Sequence, residues 1–245
     1  NTNARDLSDA LRGLGIGVYW HTVVGDNPAR LRAAVAVARG RANLIITTGG
    51  LGPTYDDLTK DTVCAAFGVP LQMDEGEAEK IRAYYEATKR EMPESNLRQA
   101  MLPVGGTVFS NGNGTAPGCA FVSGETTVIL LPGPPREMRL MLETGVLPYL
   151  RARTSETLVS RDIRIFGMGE AVVDSLLRDL ETGDNPTLSP YCSTGEVTLR
   201  LTASAEDAET ARAIAAPVEA EVCRRLGDKV YAVEDSDEGS LARSC

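Results

Sequence analysis

Leu44-Ile45-Ile46-Thr47-Thr48-Gly49-Gly50-Leu51-Gly52-Pro53-Thr54-Tyr55-Asp56-Asp57, continued by residues 58–67, reads as a strand, a glycine-rich turn and a helix. The five residues from Leu44 are apolar or β-branched and carry no charge, as a parallel strand buried on both faces requires. Gly49, Gly50 and Gly52 then let the backbone turn sharply and come close to a bound group. Behind them Leu58, Thr62, Ala65 and Ala66 recur at helical spacing, which places Asp56 and Asp57 at the helix's first turn. Two carboxylates would thus flank a pocket of bare backbone at the carboxyl end of a strand, where open α/β sheets bind ligands. A structural alternative stands beside this one, because acidic residues at a helix start also offset the positive end of its dipole.

Composition narrows the chemistry. The chain has 245 residues, long enough for one large or two ordinary domains with a sizeable core. No apolar run approaches the roughly 20 residues that cross a bilayer, and no signal-peptide pattern opens the chain. A cytoplasmic protein without a membrane partner is therefore expected. The net charge of −9 repels phosphate backbones, and no Lys/Arg cluster reverses that sign locally, so nucleic acid is not an expected partner. Cys64, Cys119, Cys192, Cys223 and Cys245 are widely spaced and form no CxxC pair, so reduced thiols are expected. His21 is the only histidine, in the strand-like run Val18-Tyr19-Trp20-His21-Thr22-Val23-Val24, and reads as structural. Acid-base or metal chemistry must then rest on carboxylates.

Taken in order, the chain opens on a helix, with Leu7, Ala10, Leu11 and Leu14 at helical spacing until Gly15 and Gly17. Asn1-Thr2-Asn3 offers helix caps. An alternating parallel sheet should have a strand before that helix, so an N-terminal truncation is expected. Residues 18–24 read as the next strand and end in Gly25-Asp26-Asn27-Pro28, which sets Asp26 at a strand's carboxyl end; a turn-forming Asp is the alternative. Residues 73–91 are charged and helical, with Ala78, Ile81 and Tyr84 available for packing. Arg98, in Asn96-Leu97-Arg98-Gln99-Ala100, is either a phosphate contact or an exposed helix arginine. Two further turns stand beside strands: Asn111-Gly112-Asn113-Gly114-Thr115-Ala116-Pro117-Gly118 and Leu131-Pro132-Gly133-Pro134-Pro135. Residues 119–122 and 126–131 read as a hairpin about Ser123-Gly124-Glu125, and Pro134 or Pro135 opens a helix bearing Met138 and Met141.

Composition shifts at residues 151–156, a polar stretch suited to a boundary. Beyond it the order is strand, helix, strand, strand, helix, strand, a ferredoxin-like α+β domain over residues 156–233. Gly167-Met168-Gly169 reads as a helix-start turn and not as a nucleotide motif. Residues 234–245 read as an acidic linker remnant. The expected organisation is a three-layer α/β domain with a mostly parallel sheet over residues 1–150, followed by that smaller domain.

The wording of the central stretch adds a resemblance. Gly-Gly-Leu-Gly-Pro-Thr-x-Asp-Asp-x-Thr at residues 49–59 resembles the signature of the CinA family, relatives of the molybdopterin-binding proteins MogA and MoaB. Gly-Thr-Ala-Pro-Gly at 114–118, Leu-Pro-Gly-x-Pro at 131–135 and the Asn-x-x-Gln-Ala segment at 96–100 are similar to further family motifs. Family members carry a first strand with a Gly-Thr-Glu turn before the opening helix, and longer ones a C-terminal nicotinamide-nucleotide amidase domain; neither is expected here.

For the first domain the resemblance implies a metal-dependent pyrophosphatase that splits ADP-ribose into AMP and ribose 5-phosphate. The substrate-binding set implied is Gly49, Gly50, Leu51, Gly52, Thr54, Gly114, Thr115, Ala116, Gly118, Pro132, Gly133 and Arg98. Backbone N–H groups at the glycine turns suit a pyrophosphate. Asp26 and Asp57 would share a divalent Mg, Mn or Co ion, with Asp56 as supporting partner or base, and a homodimer is expected. Two alternatives remain: molybdopterin binding or adenylylation, against which Asp56 stands where MogA and MoaB usually carry a basic residue, and a non-catalytic domain that senses a nucleotide or only oligomerises.

Overall fold

The computed structural model describes residues 2–12, 14–153, 157–193 and 195–236. The chain divides into two compact units, residues 1–8 with 19–150, and residues 9–18 with 151–245. Each is described by itself.

In chain order the first unit draws on α1 (Thr2–Arg12), α2 (Pro28–Arg39), β1 (Leu44–Thr48), α3 (Thr59–Ala66), β2 (Leu71–Met73) and α4 (Glu75–Ala87). It continues with β3 (Met101–Pro103), β4 (Thr107–Phe109), β5 (Gly118–Ser123), β6 (Thr126–Leu131), α5 (Pro135–Met141) and α6 (Leu147–Arg151). The closing turns of α1 belong to the second unit. A 3-10 turn, Glu94–Ala100, precedes β3, and a π turn, Leu142–Val146, joins α5 to α6.

Local chemistry sets many of these boundaries. Asn27 caps α2 by accepting from the N–H groups of Ala29 and Arg30 at 3.0 Å, with Pro28 at the first helical position. Asp74 caps α4 through the N–H of Glu77. The β5–β6 hairpin turns through Gly124 at φ 61°, with Ser123 opposite Thr126, as its sequence predicts.

The main sheet runs β1-β6-β5-β4. Only β1 and β6 are parallel; β5 is antiparallel to β6 and to β4, so the sheet is mixed where a mostly parallel one is expected from sequence. Cys119, Phe121, Val128 and Leu130 face a core shared with Val35 of α2 and Val63 and Cys64 of α3, where Phe67 meets Phe121 edge to face. Ala120, Ile129 and Leu131 alternate to the other face and are equally buried. That side holds the buried Met138, Met141 and Val146, with Met141 against Gly118 and the π turn's Gly145 against Phe109. Two helical layers enclose one sheet, the three-layer α/β architecture.

Residues 18–24 depart from expectation. They form no regular element and pair with no strand among the described residues, and Tyr19, Trp20 and Val23 are exposed. A strand exists only through ladder hydrogen bonds to a neighbour, and β-branched composition does not supply the neighbour. Arg41 instead stacks on Trp20 at 4.5 Å.

The second unit holds β7 (Thr157–Phe166), α7 (Glu170–Leu177), β8 (Thr187–Ser193), β9 (Glu196–Ala205), α8 (Ala208–Leu226) and β10 (Val230–Asp235). Its sheet order β10-β7-β9-β8, antiparallel throughout, is that of the ferredoxin-like motif. Val197, Leu199 and Leu201 enter the core with Ile163, Ile165, Val173 and Val222, while Arg200 on the opposite face makes two hydrogen bonds to the buried Asp162. Gly169 caps α7, as the helix-start reading of residues 167–169 requires. Glu234 and Asp235 are not linker: they extend β10, where Arg164 and Arg161 on β7 neutralise them. Residues 237–245, and 154–156 of the expected boundary, lie outside the described residues.

Candidate functional site

Three loops of the first unit meet at one end of its sheet. Thr48 at the end of β1 pairs with Leu131 at the end of β6, and Gly49 N–H continues the ladder to Leu131 O at 2.9 Å. Gly118, which opens the antiparallel β5, lies at the same level, since Cys119 pairs with Leu130. The turns after β1 and β6 and before β5 therefore converge. A Cβ on Gly133 would stand 3.3 Å from the Cα of Gly49, so these two turns touch backbone to backbone. The 111–118 loop joins them through the start of α5: Asn111 donates to Glu137 at 2.6 Å and Asn113 to the carbonyl of Arg136 at 3.1 Å. Pro132 is buried, and Pro134 and Pro135 start α5.

The glycines have two different reasons for being there. Gly49 and Gly50 have φ of 95° and 70°, the left-handed region that other residues avoid. Packing fixes others. A Cβ on Gly50 would lie 2.2 Å from the Thr59 hydroxyl, one on Gly52 2.4 Å from the Asp57 carboxylate, and one on Gly114 2.5 Å from Glu137. The turn is folded upon itself, more closely than a bare-backbone pocket. Even so, the N–H groups of Gly50, Leu51 and Gly52 donate to nothing among the described residues, while Gly50 O accepts from Thr59 N–H at 3.1 Å. Leu51 packs its side chain into the core, and Ala116 does likewise from the 111–118 loop, beside Thr115.

Asp56 and Asp57 precede α3 and do not lie in its first turn, where Asp61 stands instead. Thr54 organises them. Its N–H donates to Asp57 Oδ2 at 2.9 Å, and its hydroxyl oxygen lies 2.5 Å from both Asp57 Oδ2 and Asp56 Oδ1. One hydroxyl carries one hydrogen, so two carboxylate oxygens crowd a donor that satisfies only one at a time. The Thr54 contact lowers the Asp56 pKa, which keeps that carboxyl ionised at neutral pH and makes it a weak proton acceptor. Neither aspartate has an ion-pair partner among the described residues, whereas Arg98 is paired with Asp61 of α3.

Asp26 is exposed on the loop before α2, and because residues 18–24 join no sheet among the described residues it does not close a strand beside β1; with Asp56 and Asp57 it forms no metal-holding group. Among the described residues no group of three or more His, Cys, Asp or Glu is arranged to hold a metal. Asp56 and Asp57 supply two carboxylates, the number that a Mg²⁺-type ion commonly takes from protein.

Two buried polar residues here escape sequence reasoning. Lys60 is 4% exposed and donates to the carbonyls of Arg98 at 3.2 Å and Gln99 at 2.7 Å; burial lowers its pKa. It ties α3 to the 94–100 turn, where Arg98 meets Asp61, and a lysine in a helix gives no sign of this. Asn3 is 7% exposed and donates to the carbonyl of Gly133 at 2.8 Å across 130 residues. Its sequence signal, an asparagine at a helix start, is that of a cap.

Comparison with known proteins agrees with this architecture. The family described as "Probable molybdopterin binding domain" matches residues 1–152, and the "Damage-inducible protein CinA KH domain" matches residues 160–232. A CinA-like protein of Kosmotoga olearia is 44% identical over 234 residues, covering 95% of this chain and 57% of its own length. A protein of Geobacillus kaustophilus named for competence-damage induction is 47% identical over 239 residues, covering 96% and 58%. The chain thus spans under three-fifths of these relatives. The crystal structure of CinA, of unknown function, from Thermoplasma acidophilum is 33% identical with a TM-score of 0.53, over 58% of this chain and 83% of that one. The chain belongs to the CinA family, with a molybdopterin-binding-type α/β domain followed by a CinA KH domain.

Proposed function

We propose that the first unit binds a nucleotide pyrophosphate and hydrolyses it with a divalent ion, ADP-ribose giving AMP and ribose 5-phosphate. The observation that carries this proposal is the Thr54 loop: two carboxylates on one hydroxyl, without an ion-pair partner among the described residues, beside three consecutive N–H groups that donate to none of those residues. Excess negative charge recruits a cation, and free N–H groups recruit an anion, so the loop complements a metal-bound phosphate. Asp57, anchored by the Thr54 N–H, and Asp56, which shares the Thr54 hydroxyl with it, would hold the ion. Such an ion, when bound, polarises a phosphoryl oxygen and acidifies water. The chain's own residues orient the phosphates through Gly50, Leu51 and Gly52 while a water oxygen attacks one phosphorus. The bridging P–O bond breaks and the other phosphate leaves.

A second function, molybdopterin binding, is favoured by the description of the family that matches residues 1–152. It would use the same N–H groups for the pterin's phosphate. The test incubates full-length protein with ADP-ribose and Mg²⁺, Mn²⁺ or Co²⁺, and identifies products by chromatography. Equal amounts of AMP and ribose 5-phosphate are expected. Saturable ADP-ribose binding without products would make the unit a nucleotide sensor, and absence of binding would overturn the nucleotide site.

A further inference from the structure

The 111–118 loop is tied together by one side chain whose amide is fully engaged. Asn111 Nδ2 has two hydrogens and gives one to Ala116 O at 2.9 Å and the other to Glu137 Oε2 at 2.6 Å, while its Oδ1 accepts from Asn113 N–H at 3.0 Å. Only this orientation works, since the amide turned over would set its oxygen against two acceptors. Asn113 adds a bond to the carbonyl of Arg136, and Gly112 and Gly114 bring the loop backbone against Leu140 and Glu137 of α5. At the loop's start the Ser110 hydroxyl donates to the buried Glu77 of α4 and accepts from Lys80, both at 2.7 Å. A loop so closely tied to two helices is preorganised, and a ligand that meets it pays little to order it.

Glu137 brings a charge to this tie. Its half-buried carboxylate stands against Gly114, on the helix that leads directly from the turn whose Gly133 touches Gly49. A carboxylate there repels a phosphate, whereas backbone N–H groups attract one, so the 111–118 loop and the glycine turn suit different parts of one ligand. We infer that Glu137 is a positioning residue: acting through Asn111, it sets the 111–118 loop as the wall that receives the uncharged, sugar-side part of a nucleotide pyrophosphate. This rests on the nucleotide site proposed above. The glycine turn takes the anion, and a free pyrophosphate engages that turn alone.

The test compares ADP-ribose with inorganic pyrophosphate by calorimetry on the full-length protein with Mg²⁺, beside a thermal melt of each variant. Glu137→Ala and Asn111→Ala should each weaken ADP-ribose binding by about fivefold or more, while pyrophosphate stays within about twofold of wild type. Glu137→Gln, which keeps an acceptor for Asn111, should restore ADP-ribose to within about twofold of wild type. Gly124→Ala, a destabilised control at the opposite end of β5, should leave both affinities unchanged. Where ADP-ribose turns over, the loss in the two Ala variants should lie in KM and not in kcat. If those variants melt lower yet bind ADP-ribose as wild type does, if pyrophosphate weakens along with it, or if Gln weakens binding as much as Ala, the inference fails. Wild-type protein that binds pyrophosphate and not ADP-ribose would overturn it too, and wild-type protein that binds neither would overturn the nucleotide site itself.

Discussion

Replacing Asp57 by Asn and by Ala separates a metal-holding carboxylate from a loop brace. Asp57 Oδ2 accepts from the Thr54 N–H at 2.9 Å and lies 2.5 Å from the Thr54 hydroxyl, and Gly52 packs against the carboxylate. Asn keeps the shape and an acceptor oxygen but loses the charge that strengthens both bonds, a cost of about 0.5–1 kcal/mol. Ala removes the carboxylate that Thr54 bonds and leaves an exposed N–H to water, about 0.5–1.5 kcal/mol. At about 3 °C per kcal/mol for a domain of this size, Tm falls by about 2–3 °C for Asn and about 2–5 °C for Ala. Activity follows a different order. If Asp57 holds the ion, both variants lose on the order of a hundredfold or more in ADP-ribose hydrolysis, because each removes the charge, whether or not it keeps the shape. The assay pairs product formation with calorimetric Mn²⁺ affinity and a thermal melt of the full-length protein. An Asn variant within threefold of wild type in kcat/KM and in ion affinity would show a brace only and would falsify the metal assignment.

Three further outcomes are expected. Gly50→Ala should destabilise by about 2–4 kcal/mol, since its Cβ would sit 2.2 Å from the Thr59 hydroxyl at φ 70°, whereas Gly124→Ala, at φ 61° with nothing within 4 Å, should cost about 1 kcal/mol; equal losses in urea unfolding would contradict the packing argument. Burial raises the Cys64 and Cys119 pKa values to about 11 and about 12, so both stay thiols at pH 8; iodoacetamide with peptide mapping should label the exposed Cys192 ahead of these two, and native labelling of Cys119 at a similar rate would refute this. With a net charge of −9, duplex DNA should bind weakly at best at physiological salt, and tight binding with a steep salt dependence in fluorescence anisotropy would overturn that expectation.

What the sequence by itself determined is local. The turn at Gly124 and the inward Val197, Leu199 and Leu201 of β9, which alternate with polar neighbours, stand as the sequence pattern predicts, and the caps at Asn27, Asp74 and Asp207, first seen in the structure, are equally local: each depends on a few consecutive residues. The glycine turn after β1 and the strand order of the second unit are legible for the same reason, because turn chemistry and period-two alternation are written in short windows. Tertiary structure decided what depends on a distant partner. Residues 18–24 have the composition of a strand but pair with none among the described residues, and Asp26 beyond them is exposed on a loop. Asp56 and Asp57 answer to Thr54 and not to the helix dipole, and Gly50 and Gly52 are set as much by Thr59 and Asp57 as by any ligand. Asn3 reaches Gly133, and Lys60 the carbonyls of Arg98 and Gln99, across 38 to 130 residues. Hydrogen bonds of that separation form only when packing of the whole unit brings donor and acceptor together, and no local pattern encodes them.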